Sequence, residues 1–136
     1  MAEHSCRACV LYCIDFRFHR QLERFLREQD LDREGTDIVR IAGVAKGLAG
    51  SASAERDFIV NQLEISHRLH HTRQIYLVNH EDCGAYGLEQ EVDSEQELAC
   101  HREDLRAARQ LLAERFPQIE ILTYFIRLSG EAERVN

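Results

Sequence analysis

The sequence has one proline, one methionine and no tryptophan among its 136 residues, and only 7% of them are aromatic. With that single proline and seven glycines, the chain lacks the material of a collagen, a linker or a disordered tail. Long apolar runs are missing as well: nothing approaches the roughly 18 consecutive apolar residues of a membrane span. Basic residues are the minority, 17 Lys and Arg against 24 Asp and Glu, for a formal net charge of -7. That balance argues against a sequence-independent nucleic-acid binder, which needs a basic surface to displace counterions. The glycine-containing stretch 42–50 has no Gly-Lys-Ser/Thr ending, which excludes a phosphate loop. His4 and Arg7 stand just ahead of a short apolar run, too polar a start for a signal-peptide core, so the expected compartment is the cytoplasm.

What is present is the composition of a packed globular protein, 44% apolar, at a length that allows one domain over 1–136. Short β-branched runs alternate with longer helical patterns, the signature of a parallel sheet covered by helices. Strands are expected over 8–14, 36–41, 74–79 and 119–128, the last ending in a Ser129-Gly130 turn. Between them, Phe18, Leu22, Phe25 and Leu26 mark one apolar stripe on a helix over 17–29. A second helix over 53–71 has Phe58, Ile59, Leu63, Ile65 and Leu69 as its candidate core face. A third starts at a Ser94/Glu97 capping box, carries Leu98, Leu105, Ala108 and Leu112, and stops before Pro117. The small residues of 42–54 read as a loop able to approach a ligand closely. The fold class expected is α/β: a mostly parallel sheet of about four strands with helices on its faces.

Five cysteines, Cys6, Cys9, Cys13, Cys83 and Cys100, are odd in number, and in a reducing compartment metal binding or catalysis explains them better than disulfides. Cys6-x-x-Cys9, with His4 beside it, invites a redox or second-zinc reading. It precedes the first strand with no further ligand pair at suitable spacing, so incidental thiols are the expectation. Cys100 and His101 read as packing and surface residues, and His67, His70 and His71 as a solvated cluster.

Chemistry concentrates where strands end. The first finishes in Cys13-Ile14-Asp15-Phe16-Arg17 and the third in Asn79-His80-Glu81-Asp82-Cys83-Gly84. In an open α/β sheet the carboxyl ends of neighbouring strands face one crevice. Two thiols and one imidazole there form a zinc set that leaves a fourth position for water, the catalytic pattern. Gly84 is the expected source of backbone freedom for the chelating turn.

These residues resemble the β-class carbonic anhydrases, through C-x-D-x-R at the end of the first strand and H-x-x-C-G at the end of the third. The likeness in order of elements runs from residue 8 to about 130. It implies zinc held by Cys13, His80 and Cys83, with Asp15 and Arg17 as the dyad that orients zinc-bound water or, in a closed form, lets Asp15 ligate the metal. It implies reversible hydration of carbon dioxide to bicarbonate through a zinc-bound hydroxide. The amides of Gly84 and Ala85 are candidates for the bicarbonate oxygens, Tyr86 and His19 for the proton route, and a homodimer or dimer of dimers for the assembly. The chain departs from the family's usual pattern at Arg40-Ile41-Ala42-Gly43-Val44, which lacks two asparagines, at Phe16 in place of serine, and at Asn79 in place of glycine. Two other functions remain open on the same residues: a carbonyl sulfide or carbon disulfide hydrolase, and a non-catalytic zinc module closed by Asp15.

Overall fold

In chain order the elements are β1 (Ala8–Tyr12), α1 (His19–Glu28), β2 (Thr36–Arg40), α2 (Lys46–Ala49), α3 (Ala54–His70), β3 (Gln74–His80), α4 (Ser94–Arg115), β4 (Glu120–Ile126) and β5 (Ala132–Arg134), with 3-10 turns at Phe16–Phe18 and Gly84–Tyr86. They come from a computed structural model that describes residues 4–33, 35–88 and 92–136. The five strands form one sheet in the order β2-β1-β3-β4-β5. All neighbours are parallel except β5, which runs antiparallel to β4.

All five residues of β1 are buried, as expected of a strand covered on both faces. Its side chains alternate between two cores. Cys9 and Leu11, with Cys13 just beyond the strand, join Ile75, Leu77 and Phe125 beneath the helical residues Leu48, Ile59, Leu63, Leu98, Leu105, Ala108 and Leu112. Ala8, Val10 and Tyr12 join Tyr76, Val78 and Tyr124 on the opposite face, against Phe18, Leu22 and Phe25. This division follows from connectivity. The chain steps from β1 outward to β2, then returns across β1 to β3 and on to β4. Parallel crossovers are right-handed, so reversing direction puts α1 on one face and α3 and α4 on the other. The reversal lies between β1 and β3, where a doubly wound sheet opens its crevice.

The structure adds two elements to the expected set. β5 is three residues, Ala-Glu-Arg, too short for any alternation, and the Ser129-Gly130 bend leads into it rather than ending the sheet. The turn of α2 lies inside the stretch read as a loop. The capping box of α4 also sits one residue earlier than expected: Asp93 Oδ1 accepts from the Gln96 amide at 2.8 Å and Gln96 Oε1 accepts from the Asp93 amide at 3.1 Å. On α3, Ile59 and Leu63 are buried, but Phe58 is 58% exposed and Leu69 52%. The apolar pattern over-counts that face because Ser66, not an aliphatic residue, takes the inward position after Leu63.

Candidate metal centre

Cys13 follows β1 and His80 ends β3, on either side of the switch point, and Cys83 comes three residues later. The turn between His80 and Cys83 depends on Asp82, whose φ of 54° is left-handed; Gly84, expected to supply that freedom, is not a left-handed residue. An aspartate tolerates this backbone better than most side chains. The ligand atoms of Cys13, His80 and Cys83 all lie within 4.8 Å of one another, and the three residues are 4%, 1% and 7% exposed.

The imidazole is oriented by its own loop. Nδ1 donates to the Glu81 carbonyl at 2.7 Å, and the ring packs on Phe18 with centroids 4.1 Å apart. That tautomer turns the Nε2 lone pair into the site, where it is buried without a hydrogen-bond partner among the described residues. Such an atom carries a desolvation cost unless something binds it. The Cys83 thiol draws Cys13 well below the usual thiol range, against the effect of burial, with help from His80 and from the Gly43 and Asp15 amides. Cys83 is in turn pushed up, first by Cys13 and then by burial. Two cysteine sulfurs and an orphaned imidazole nitrogen form the donor chemistry of a zinc ion, so these residues fit that metal.

Asp15 stands beside this set, its Oδ2 3.8 Å from His80 Nε2. Arg17 grips both its oxygens, Nε at 3.1 Å from Oδ1 and Nη2 at 2.6 Å from Oδ2, and its own amide donates to Oδ1 at 2.9 Å. This grip holds the Asp15 carboxyl down to about 2, against the effect of burial. The same guanidinium crosses to the other strand end, donating to Asp82 Oδ2 and to the Asp82 carbonyl, both at 2.9 Å. Glu97 accepts from the Asp82 amide, a role open to it because Gln96 closes the capping box. Arg40 donates to the Cys13 carbonyl at 2.7 and 2.9 Å and approaches His19 Nδ1 at 2.7 Å.

A cavity of about 550 Å³ opens over these groups, walled by Ile14, Phe16 and Ala42 on its apolar side and by Asp15, Arg17 and Gly84 on its polar side. A Cβ at Gly84 would meet nothing within 4 Å, whereas the Ala85 amide is directed at the Cys83 sulfur. Gly43 approaches from β2, and a Cβ there would meet that of Ala85 at 3.1 Å on a backbone of φ 78°.

Sequence reasoning missed Asp82, Glu97 and the layer below the site. Asn79 Oδ1 accepts from the Ala45 amide at 3.2 Å, while its Nδ2 donates to Tyr86 Oη at 2.7 Å and to His101 Nδ1 at 2.9 Å. His101, expected as a packing or surface residue, is fully buried, its ring 3.9 Å from that of Tyr86. Burial pushes the Tyr86 phenol far above its ordinary range, so it stays protonated; His19 is exposed. The signal for this layer was Asn79 itself, an amide ending an otherwise apolar strand.

A family model described as "Putative carbonic anhydrase" matches residues 3–136. Uncharacterized proteins of Rickettsia conorii and Rickettsia bellii are 30% and 28% identical over 131 residues, covering 93% of this chain and 70% and 79% of theirs. The fold is similar to a tetrameric β-carbonic anhydrase of Sordaria macrospora, with a TM-score of 0.65 at 13% identity over 98% of this chain and 82% of that one. It is likewise similar to a β-carbonic anhydrase of Aspergillus fumigatus, with a TM-score of 0.64 at 12% identity over 97% and 90%. The architecture is thus that of β-carbonic anhydrases, and by its match over nearly the whole sequence the chain belongs to the putative carbonic anhydrase family.

Proposed function

We propose that the chain is a zinc lyase that reversibly hydrates carbon dioxide to bicarbonate and a proton. The observation that carries this reading is the convergence of buried Cys13, His80 and Cys83 at the switch point, with Asp15 beside them and aimed by Arg17. Cys13, His80 and Cys83 would hold a zinc ion there, which would supply a Lewis acid able to lower the pKa of water from 15.7 toward about 7.

The chain's own groups do the rest. Asp15, ionised across the neutral range, accepts a hydrogen bond from the attacking water and turns an oxygen lone pair toward the substrate. Arg17 keeps that carboxylate charged and occupied, which favours an open site over one closed by Asp15. Ile14, Phe16 and Ala42 offer an apolar wall to an apolar substrate. The Gly84 amide is the backbone donor for the oxygen that gains charge; the Ala85 amide, directed at the Cys83 sulfur, is the weaker of the two expected. His19 lies on the exposed side for the proton.

The expected assembly is a homodimer or a dimer of dimers. Ile14 and Phe16, 61% and 78% exposed at the mouth of the cavity, support it, because apolar side chains there gain from being covered. Among the described residues no helix is long and apolar enough to cross a membrane. The proposed setting is the cytoplasm, where free thiols at Cys13 and Cys83 stay reduced. Stopped-flow carbon dioxide hydration by the zinc-loaded protein, run beside carbonyl sulfide and carbon disulfide turnover, tests the reading. Faster turnover of a sulfur compound assigns the site to the hydrolase, and no turnover of any substrate leaves the zinc module.

A further inference from the structure

At the opposite end of the sheet, three potential ligands from three separate elements come together. Cys6 precedes β1, Asp37 is the second residue of β2 and His70 is the last residue of α3; their ligand atoms all lie within 4.8 Å of one another. Each is only partly buried, so the group is reachable from solvent. Asp37 Oδ2 lies 2.6 Å from His70 Nδ1 and accepts from Ser66 Oγ at 2.6 Å. Cys6 Sγ lies 3.4 Å from Thr72 Oγ1, which lies 2.6 Å from Ser66 Oγ. Ser66 and Thr72 are themselves buried, which fixes the positions of Asp37 and Cys6. The backbone holds the strands to the helix at the same point, the Cys6 amide donating to the His70 carbonyl at 2.9 Å. His4 packs its ring on His70, with centroids 4.7 Å apart.

The geometry points to a second metal site, in which Cys6, Asp37 and His70 bind a zinc-type divalent ion and His4 or water completes the coordination. Sulfur, imidazole nitrogen and carboxylate oxygen are the three donor types zinc accepts, and three protein ligands form a workable set. Charge balances: one carboxylate and one thiolate neutralise the ion. On binding, the Cys6 thiol releases its proton to solvent, and His70 offers Nδ1 with its own proton moved to Nε2. The ion replaces the hydrogen bond that joins Asp37 to His70. Cys9, the other half of the Cys-x-x-Cys pair, is not a ligand: it is 1% exposed and burial pushes its thiol up to about 12. Read as a sequence, Cys6 and Cys9 pair with each other; in the fold, Cys6 is paired instead with residues 31 and 64 positions away.

Metal content of the purified full chain after dialysis against micromolar zinc tests the proposal, comparing wild type with Cys6→Ser, His70→Gln and Cys83→Ser. The expectation is about two zinc ions per wild-type chain, with loss of about one equivalent in Cys6→Ser and in His70→Gln while carbon dioxide hydration is retained. Cys83→Ser loses the other equivalent and keeps this one. With cobalt in place of zinc, Cys83→Ser shows a thiolate-to-metal charge-transfer band that the Cys6→Ser/Cys83→Ser double variant lacks. Cys6→Ser alters a half-buried residue ahead of the first strand, and an unchanged metal-free melting temperature confirms that it folds. A wild-type stoichiometry equal to that of Cys6→Ser, together with no thiolate band in Cys83→Ser, overturns the second site. The proposed function stands or falls separately, on whether Cys83→Ser removes hydration.

Discussion

Replacing Arg17 by lysine keeps the charge beside Asp15 and removes the fork, so it asks whether geometry or charge is what the site needs. Arginine donates to both Asp15 oxygens and also reaches Asp82 Oδ2 and the Asp82 carbonyl, linking the Cys13 strand end to the Cys83 turn. A lysine ammonium meets one of these acceptors well and leaves the others to water. Its two arms differ in weight. The Asp82 side chain is 73% exposed, so that ion pair is screened and contributes under about 1 kcal/mol. The Asp15 side chain is only 14% exposed, and losing one charge-assisted contact there costs roughly 1.5 to 3 kcal/mol, reduced by the partial exposure of Arg17. At about 1.4 kcal/mol per tenfold, Arg17→Lys should lower zinc affinity or hydration rate by roughly 10- to 100-fold, the range for partners that orient a metal site. Asp82→Asn, which removes only the exposed arm, should cost less than about 5-fold. Chelator competition for zinc and stopped-flow hydration measure the two terms separately. An Arg17→Lys protein within 2-fold of wild type in both would show that the bidentate grip plays no part, and the orienting role given to Asp15 would lose its support.

Cys13→Ser and Cys83→Ser should each empty the candidate centre, read as loss of about one metal equivalent; retention of full zinc by both would move the site elsewhere. Asp15→Asn should keep its zinc yet slow hydration by about 100-fold, so an unchanged turnover across pH 6 to 9 would remove the carboxylate from the mechanism. Phe16→Glu should weaken self-association, shown by sedimentation at micromolar concentration, and a wild-type mass of one 15.8 kDa chain would refute the dimer. Burial pulls His101 down to about 4 from an ordinary 6.5, so the folded state binds fewer protons than the unfolded one between those values. Its contribution is therefore complete above pH 6.5 and lost as pH falls toward 4, on the order of 3 kcal/mol. Denaturant unfolding of His101→Gln should show a shallower acid loss than wild type; equal slopes would mean that His101 does not titrate this way.

The layering of the fold was legible because β1, β3 and β4 carry continuous apolar runs and their covering helices carry clear stripes, Phe18-Leu22-Phe25 and Leu98-Leu105-Ala108-Leu112. What escaped was decided by tertiary pairing rather than by local pattern. β5 has no apolar signal of its own, and it is held by ladder bonds to β4 and by Thr123 Oγ1, which donates to the Val135 carbonyl at 2.5 Å. The cap of α4 moved because Asp93 and Ser94 are both competent caps, and the choice between them releases Glu97 for the Asp82 amide.

At the candidate centre the convergence of Cys13, His80 and Cys83 was readable from their places at strand ends, since a parallel sheet brings the carboxyl ends of its neighbouring strands together. The residues that position them were not, because each acts through a partner remote in sequence. Arg17 reads as half of a local pair with Asp15 until the fold puts Asp82 within 2.9 Å of it. His101 reads as one more polar residue on a charged helix until Asn79 and Tyr86 enclose it. The same physical reason joins both ends of the sheet. A parallel sheet sets strand starts, and the end of the helix that leads into one of them, side by side as surely as strand ends, so His70 and Asp37, 33 residues apart in sequence, meet Cys6 below while His80 meets Cys13 above. Spacing along the chain reveals a site only when one element supplies two of its ligands, as the His80-x-x-Cys83 turn does; where every ligand comes from a different element, only the fold reveals it.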